Sequence, residues 1–172
     1  PMRSSAASDV YKRQANQYGA SIPILKWATS IGIVKNKIRN HLVTDGAAHI
    51  PYNFENILVE ASPFETDIPL GFWRAVFHSQ NAFANECFLD ELSSKLKIDP
   101  VTLRIDHLKN SSRSRNVIED VANNSNWGSK LPVGHFQGFA YHHSFGTHVA
   151  QVAEISLHQN AIKVHKVKCS ID

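Results

Sequence analysis

The residues with the clearest chemical potential lie in the stretch 68–80, where an aromatic and cationic turn leads into a helix. Pro69 and Gly71 mark the turn, and Arg74 gives it a positive charge. The first amides of a helix have no partner within the helix, and the macrodipole adds partial positive charge there. The pattern therefore indicates a backbone cradle for an anion such as a phosphate. The structural alternative is that the aromatic residues are ordinary core and that Arg74 caps a neighbouring strand.

Carboxylates and thiols offer a second kind of chemistry. Two of the carboxylates Glu86, Asp90 and Glu91 could act as a paired acid–base site, but their helical spacing favours a solvated face. Cys87 and Cys169 lie in apolar patterns without the spacing of a zinc site, so we expect both to be small buried residues. Neither group predicts a catalytic centre.

Three histidines, His142, His143 and His148, raise the question of a metal site. Consecutive histidines on a strand point to opposite faces, and no further ligands follow at closed-site spacing, which disfavours a protein-bound metal. A metallohydrolase would require these rings to converge with a carboxylate. A nucleophilic pair of Ser144 with a histidine is weaker still, because no G-x-S-x-G elbow surrounds the serine.

The composition is that of an ordinary folded domain. The chain has 172 residues, of which 42% are hydrophobic and 19% charged. Its net charge is +3, but the lysines and arginines are scattered, which disfavours a nucleic-acid partner. No apolar run approaches the roughly 20 residues of a membrane-spanning helix.

The elements that must position the turn are predicted from hydrophobic period. A strand at 57–60 leads to the turn, and the chain beyond it is expected to form helices over about 79–96, 99–108 and 115–124. Asp99 caps the second helix, and the run 111–115 is expected to be a loop. Residues 149–157 and 162–171 are predicted to pair as a hairpin. The first helix is expected to bury one apolar face, formed by Phe83, Cys87 or Phe88, and Leu92.

These elements predict an α+β fold of mixed helices and strands. Residues 1–14 are small, polar and basic without any period, and they are interpreted as a non-native, adapter-like leader. The last predicted strand runs to the end of the chain without a turn. We therefore expect residues 15–172 to be an internal fragment of a larger domain, truncated at both ends.

Several motifs occur in an ordered succession: GFWRAV-x-HSQNAF-xx-E-x-F-x-DEL, a helix capped by Asp-Pro, a Trp-Gly closure, GFAYHHSFGTHVAQVAEI and VHKVKCSID. This succession resembles the molybdenum-binding large subunit of the xanthine dehydrogenase/aldehyde oxidase family, and within it the isoquinoline 1-oxidoreductase beta subunit type. The resemblance is dense from Tyr52 to Asp172.

The resemblance implies a molybdopterin-dependent oxidoreductase. Such an enzyme binds molybdopterin cytosine dinucleotide with molybdenum and oxidises an aldehyde or N-heterocycle with oxygen derived from water. Electrons leave through [2Fe-2S] clusters on a small iron–sulfur partner subunit, with a cytochrome as a further acceptor. The compartment stays open between the periplasm, reached by twin-arginine export, and the cytoplasm.

The resemblance also assigns roles to individual residues. The backbone amide of Arg74 would lie near the molybdenum's oxygen ligand, and Ala75 and Gln80 would belong to the cofactor-binding turn. Val76 and Phe145 would face the substrate pocket. A flat substrate is held by ring faces while its edge reacts, so an aromatic residue suits the position of Phe145.

Two departures from the family pattern matter. Phe77 stands where the family usually has glycine, so a turn that needs positive φ or close backbone approach could be blocked. The catalytic glutamate of the family is expected beyond Asp172, and neither Glu86 nor Glu154 takes its place. The fragment alone is thus expected to be inactive, and the alternative is a non-catalytic scaffold that binds an anion or a partner.

Overall fold

The computed structural model of the chain describes residues 46–48, 50–60, 74–75, 77–108, 111–159 and 161–172. Their elements are three helices and three strands: α1 (His78–Leu96), α2 (Pro100–His107), α3 (Ser112–Ser125), β1 (His135–Ser144), β2 (Thr147–His158) and β3 (Ala161–Ile171). This content confirms the predicted α+β class. The leader at 1–14, the start of the turn at 68–73 and Val76 lie outside the described residues.

The chain divides into two compact units. One contains Pro1–Ile50 and Asn56–Asn85, and the other contains Pro51–Glu55 and Glu86–Asp172. The described part of the first unit holds the turn and the start of α1. The second unit holds the rest of α1, the other helices and the sheet.

Helix α1 lies where the sequence predicts it, but the prediction of its buried face was wrong. Phe83 is 71% exposed and Phe88 57% exposed, whereas Leu89 and the polar Glu86 and Ser93 are buried. The cause is that this helix buries a charged side chain with a partner, which hydrophobic period cannot reveal. Both cysteines are free and exposed, so their predicted burial was also wrong: they are Cys87 and Cys169.

The caps of α2 and α3 explain where these helices begin. Asp99 Oδ1 accepts the amides of Val101 at 3.0 Å and Thr102 at 2.9 Å, which confirms the predicted N-cap. Ser111 has extended backbone, and its hydroxyl accepts the Ser114 amide at 3.3 Å. The run predicted as a loop is therefore the cap and first turn of α3, a correction that a serine N-cap accounts for.

The three strands form one antiparallel sheet in the order β1, β2, β3. The hairpin of β2 and β3 was predicted and is confirmed, while β1, which pairs Ser144 with Thr147 at its end, was not assigned from the sequence. The strand predicted at 57–60 is wrong, since the described backbone there is not a strand. The extended segment before it instead makes an isolated bridge from Tyr52 to Leu108.

The hydrophobic core of the second unit lies where the helices meet one face of the sheet. Helix α3 packs on β2 and β3, and its buried positions follow the helical period. The main apolar members of this core are Leu103, Val117, Ile118, Val121, Phe139, Ala150 and Val152. Among the described helices, none combines the length and the apolar character that crossing a membrane would need.

Candidate functional site

The turn before α1 has a left-handed residue at its centre. Ala75 adopts φ 68°, and its carbonyl accepts the His78 amide at 2.9 Å. Arg74 is exposed, whereas the Phe77 side chain is only 2% exposed. The Phe77 carbonyl accepts the Asn81 amide at 3.2 Å, so the turn runs directly into the helix.

The end of α1 that follows this turn is suited to negative charge. Its first turn carries no acidic side chain, and the amides at the start of a helix point outward with partial positive charge. Gln80 is half-buried, and its Oε1 accepts the Ser79 hydroxyl at 2.6 Å. Of the residues predicted from the family, the structure thus places Arg74, Ala75 and Gln80 together at one helix start.

Gly46 also contributes to this helix start, a role that sequence reasoning missed. It has φ 78°, and a Cβ built on it would lie 3.1 Å from His78 Nδ1 and 3.3 Å from His78 Cα. Its carbonyl accepts the Asn85 amide side chain at 3.4 Å. Gly46 follows Thr44 and Asp45 in a sequence typical of a turn, but nothing local shows which helix it will contact.

The Glu86 carboxylate is a buried group of the second unit that accepts three hydrogen bonds. One oxygen accepts Tyr52 Oη at 2.9 Å, and the other accepts Arg104 Nε at 2.8 Å and the Tyr141 amide at 2.8 Å. Glu86 is 5% exposed and Arg104 is fully buried. The prediction that Glu86 lies on a solvated face was therefore wrong, because the cation that compensates it lies 18 residues further along the chain.

Arg104 is held on all sides. Its Nη1 donates to the Pro100 carbonyl and its Nη2 to the Glu86 carbonyl, each at 3.0 Å. Nη2 also lies 2.8 Å from Asp90 Oδ1, as an ion-pair contact without hydrogen-bond alignment. The Phe139 ring lies 5.2 Å from the guanidinium carbon. Such an enclosed pair acts as a structural joint between helix and sheet rather than as an acid–base catalyst.

The ionisation of this joint follows from burial. Burial raises the pKa of Glu86, and Arg104 is the largest influence that opposes the rise. For Arg104, burial alone would lower the pKa, but Glu86 and then Tyr52 raise it above its ordinary value. The arginine therefore stays charged, and of the groups around Glu86 it lowers the pKa of the buried carboxyl the most.

A second polar cluster joins α3 to the hairpin of β1 and β2. Tyr141 Oη lies 2.8 Å from Ser114 Oγ and 2.8 Å from His148 Nδ1. The His143 ring stacks on the His148 ring with centroids 4.3 Å apart. Burial lowers the pKa of His148, and His143 and Arg113 lower it further, which keeps the ring neutral at physiological pH.

The hairpin tip carries the predicted substrate-facing residue. Phe145 is 74% exposed and left-handed, with φ 50°. The adjacent Gly146 carbonyl accepts Arg113 Nη2 at 3.2 Å, and Arg113 Nε pairs with Asp172 at 2.6 Å. The tip is thus fixed to α3 by its backbone while the ring of Phe145 faces outward.

The histidines do not form the convergent arrangement that a metallohydrolase requires. Within the described ranges, no group of three histidine, cysteine, aspartate or glutamate side chains could hold a metal ion. His148 instead bonds Tyr141, and Ser144 pairs across the hairpin with Thr147.

The comparisons with known proteins found one family model and two relatives that match part of this chain. Residues 25–108 match the family model of the molybdopterin cofactor-binding domain. The beta subunit of isoquinoline 1-oxidoreductase from Brevundimonas diminuta is 29% identical over 119 residues, which are 66% of this chain and 15% of the relative. A subunit of nicotinate dehydrogenase from Pseudomonas putida is 29% identical over 77 residues, 45% of this chain and 6% of the relative. The matches thus cover a small part of either relative, and no solved structure matches the chain.

Proposed function

We propose, from the premise that this chain is a piece of a molybdopterin-binding large subunit, that the parent protein is a molybdenum hydroxylase. The premise rests on the family match over 25–108 and on two relatives, both of which are named as subunits of oxidoreductases. The matched range contains the turn and the start of α1. That overlap is the observation that carries the proposal.

The residues of the turn fit an anionic cofactor. The backbone is left-handed at Ala75, the helix start lacks acidic side chains, and Arg74 is exposed beside it. A pterin dinucleotide carries phosphates, which helix amides bind well. The backbone around Arg74 and Ala75 and the side chain of Gln80 would hold the cofactor, in the cytosine dinucleotide form. When bound, the cofactor supplies a two-electron oxidation that uses oxygen from water.

The substrate is proposed to be an N-heterocycle or an aldehyde. Both relatives are named for N-heteroaromatic compounds, isoquinoline and nicotinate. In this chain Phe145 offers an exposed ring at a backbone-fixed hairpin tip, which suits stacking on a flat substrate. The family resemblance would give Val76 a substrate-facing position that is less aromatic than in xanthine dehydrogenases.

The proposed reaction is balanced by a partner. Substrate R–H and water give R–OH, two protons and two electrons, so the enzyme needs an electron acceptor. The acceptor is proposed to be [2Fe-2S] clusters on a small partner subunit, followed by a cytochrome. Both relatives are named as one subunit of an enzyme, which supports the presence of a partner.

The test is to express the full-length open reading frame with its iron–sulfur partner and to measure molybdenum, iron and extractable pterin. We expect stoichiometric molybdenum and turnover of N-heteroaromatics or aldehydes. A well-folded complex without molybdenum would refute the hydroxylase and support a non-catalytic scaffold.

Variants of the turn sharpen this test. Ala75→Val should reduce the molybdenum content, because a β-branched residue disfavours positive φ. Ala75→Gly is the matched control and should retain molybdenum, because glycine adopts this φ freely. Equal molybdenum in both variants would exclude this turn as the cofactor cradle.

A further inference from the structure

The two outer edges of the sheet differ in the partners of their backbone amides. At the β1 edge, the Tyr141 amide donates to the Glu86 carboxylate of α1, so a buried side chain satisfies an amide in the middle of that edge. At the other side, β3 pairs with β2 alone among the described strands. An uncovered strand edge presents a row of unpaired amides and carbonyls.

The ladder shows which amides of β3 face outward. His148 and Asp172 exchange both backbone hydrogen bonds, each at 3.0 Å. In an antiparallel ladder such pairs alternate with pairs that do not exchange hydrogen bonds. The amides of Val167, Cys169 and Ile171 therefore point away from β2, while those of Lys168 and Ser170 point toward it.

The side chains of β3 alternate between the two faces of the sheet, with apolar residues on one face and lysines on the other. Val167 and Ile171 lie on the sheet face opposite the one that α3 covers, and they are 53% and 66% exposed. Lys166 and Lys168 lie on the other face, and both are exposed. No ion pair within the described ranges involves these lysines. The edge is thus apolar on one face and cationic on the other.

We propose that the outer edge of β3 pairs with a further strand of the same large subunit, from polypeptide outside these 172 residues. The incoming strand alternates acidic side chains, opposite Lys166 and Lys168, with apolar side chains, opposite Val167 and Ile171. This inference rests on the proposed function only in that the chain is taken as a piece of a longer large subunit.

The charge of β3 and the length of the related subunits both favour a strand from the same large subunit over a second copy of this chain. A second copy pairing through β3 would place the lysines of two strands together, and like charges across strands are destabilising. The 119-residue match covers only 15% of the isoquinoline 1-oxidoreductase subunit, so a large subunit of that kind has ample further polypeptide to supply a strand. An intrachain strand also avoids the entropy cost of association.

The test is residue-resolved hydrogen exchange on three samples: the 172-residue chain, the full-length large subunit alone, and the large subunit with its iron–sulfur partner. The amides of Val167, Cys169 and Ile171 should exchange quickly in the first sample and about 100-fold more slowly in the second. The amides of Lys168 and Ser170 should be slow in all three and serve as internal controls.

Each other outcome overturns the proposal. Slow outward amides in the 172-residue chain would mean that the chain itself, or a second copy, covers the edge. Fast outward amides in the full-length subunit would mean that no strand is added. Slow exchange that appears only with the partner would assign the strand to the partner subunit.

A pair of proline variants separates edge pairing from hairpin stability. In the full-length subunit, Val167→Pro should abolish the slow exchange of Cys169 while leaving Ser170 slow, because proline removes only an outward donor. Lys168→Pro should instead lose protection throughout the hairpin, because its amide faces β2. Retained slow exchange at Cys169 in Val167→Pro would contradict the added strand.

Molybdenum measured on the same preparations keeps the two proposals distinguishable. A full-length subunit with protected outward amides but no molybdenum would retain the strand and refute the hydroxylase. A molybdenum-loaded subunit with fast outward amides would do the reverse.

Discussion

Replacing Arg104 by methionine tests whether the buried ion pair organises the second unit. Methionine keeps an apolar stem against Phe139 but removes the donors to the Glu86 carboxylate, to the Glu86 carbonyl and to the Pro100 carbonyl. The carboxylate would stay buried with only Tyr52 and Tyr141 as donors. Removing one partner of a buried pair costs about 3–5 kcal/mol, a large part of a domain's stability.

The destabilisation caused by Arg104→Met should depend on pH, and the direction of this dependence follows from the Glu86 pKa. Burial already raises the pKa of Glu86 above 4.5, and Arg104 opposes that rise. In Arg104→Met the folded pKa rises further, so the folded protein holds the proton to a higher pH than the unfolded chain does. The contribution of Glu86 to the stability of the variant is therefore greatest near or below 4.5 and falls as pH increases through the raised pKa.

The assay is urea unfolding at pH 5 and pH 8. With a slope of about 2 kcal/mol/M, the destabilisation at pH 8 moves the midpoint by about 1.5–2.5 M. The control is Arg115→Met. Arg115 makes an exposed pair with Glu119 and an exposed 3.4 Å hydrogen bond to the Ile105 carbonyl, so its loss should change stability by about 0.5 kcal/mol or less. A loss below about 1 kcal/mol in Arg104→Met, or an equal loss at both pH values, would refute the reasoning.

Three smaller predictions concern a histidine, a turn and a cap. Burial lowers the His148 pKa from 6.5, so the folded protein binds this proton less tightly than the unfolded chain does. The contribution of neutral His148 to the free energy of unfolding should be complete above pH 6.5 and should decrease on acidification. His148→Gln should lose this pH dependence, measured by urea unfolding at about pH 5.5 and 7.5. Ala75→Gly should raise the free energy of unfolding by about 0.5–1 kcal/mol in urea, because glycine relieves the positive φ; a decrease would contradict this. Asp99→Ala should lower thermal stability by about 1 kcal/mol or more, because the cap and the 2.8 Å bond from Trp127 Nε1 are lost, whereas Asp99→Asn should retain the capping acceptor.

Local signals account for the parts of the fold that the sequence predicts. An aspartate followed by proline defines the start of α2 without reference to the rest of the chain. Alternating residues on both sides of a short polar turn likewise define the hairpin of β2 and β3. These features depend on neighbours a few residues away, so the sequence carries them in full.

Long-range partners explain the failures. The burial of Glu86 depends on Arg104, on Tyr52 and on the Tyr141 amide, which lies 55 residues further along the chain. No periodicity in α1 can show these partners, so a buried charge resembles a solvated one in sequence. The same periodicity gave no sign that Phe83 is 71% exposed.

Phe77 stands where the family that the sequence resembles usually has glycine, and the backbone around it shows no need for a glycine there. Positive φ occurs at Ala75, two residues earlier, and Phe77 is not among the left-handed residues. The Phe77 side chain is 2% exposed, so it is buried and does not project into solvent. We therefore expect Phe77 to support the turn that would hold the cofactor.

Phe77→Gly decides between support and obstruction. If the ring supports the turn, its removal should destabilise the chain by about 3 kcal/mol or more through the lost burial, and it should lower molybdenum content in the full-length complex. If the ring instead blocks close approach of the cofactor, the glycine variant should contain more molybdenum than the parent. Because stability and metal content move independently in the second case, measuring both on one preparation separates the two roles.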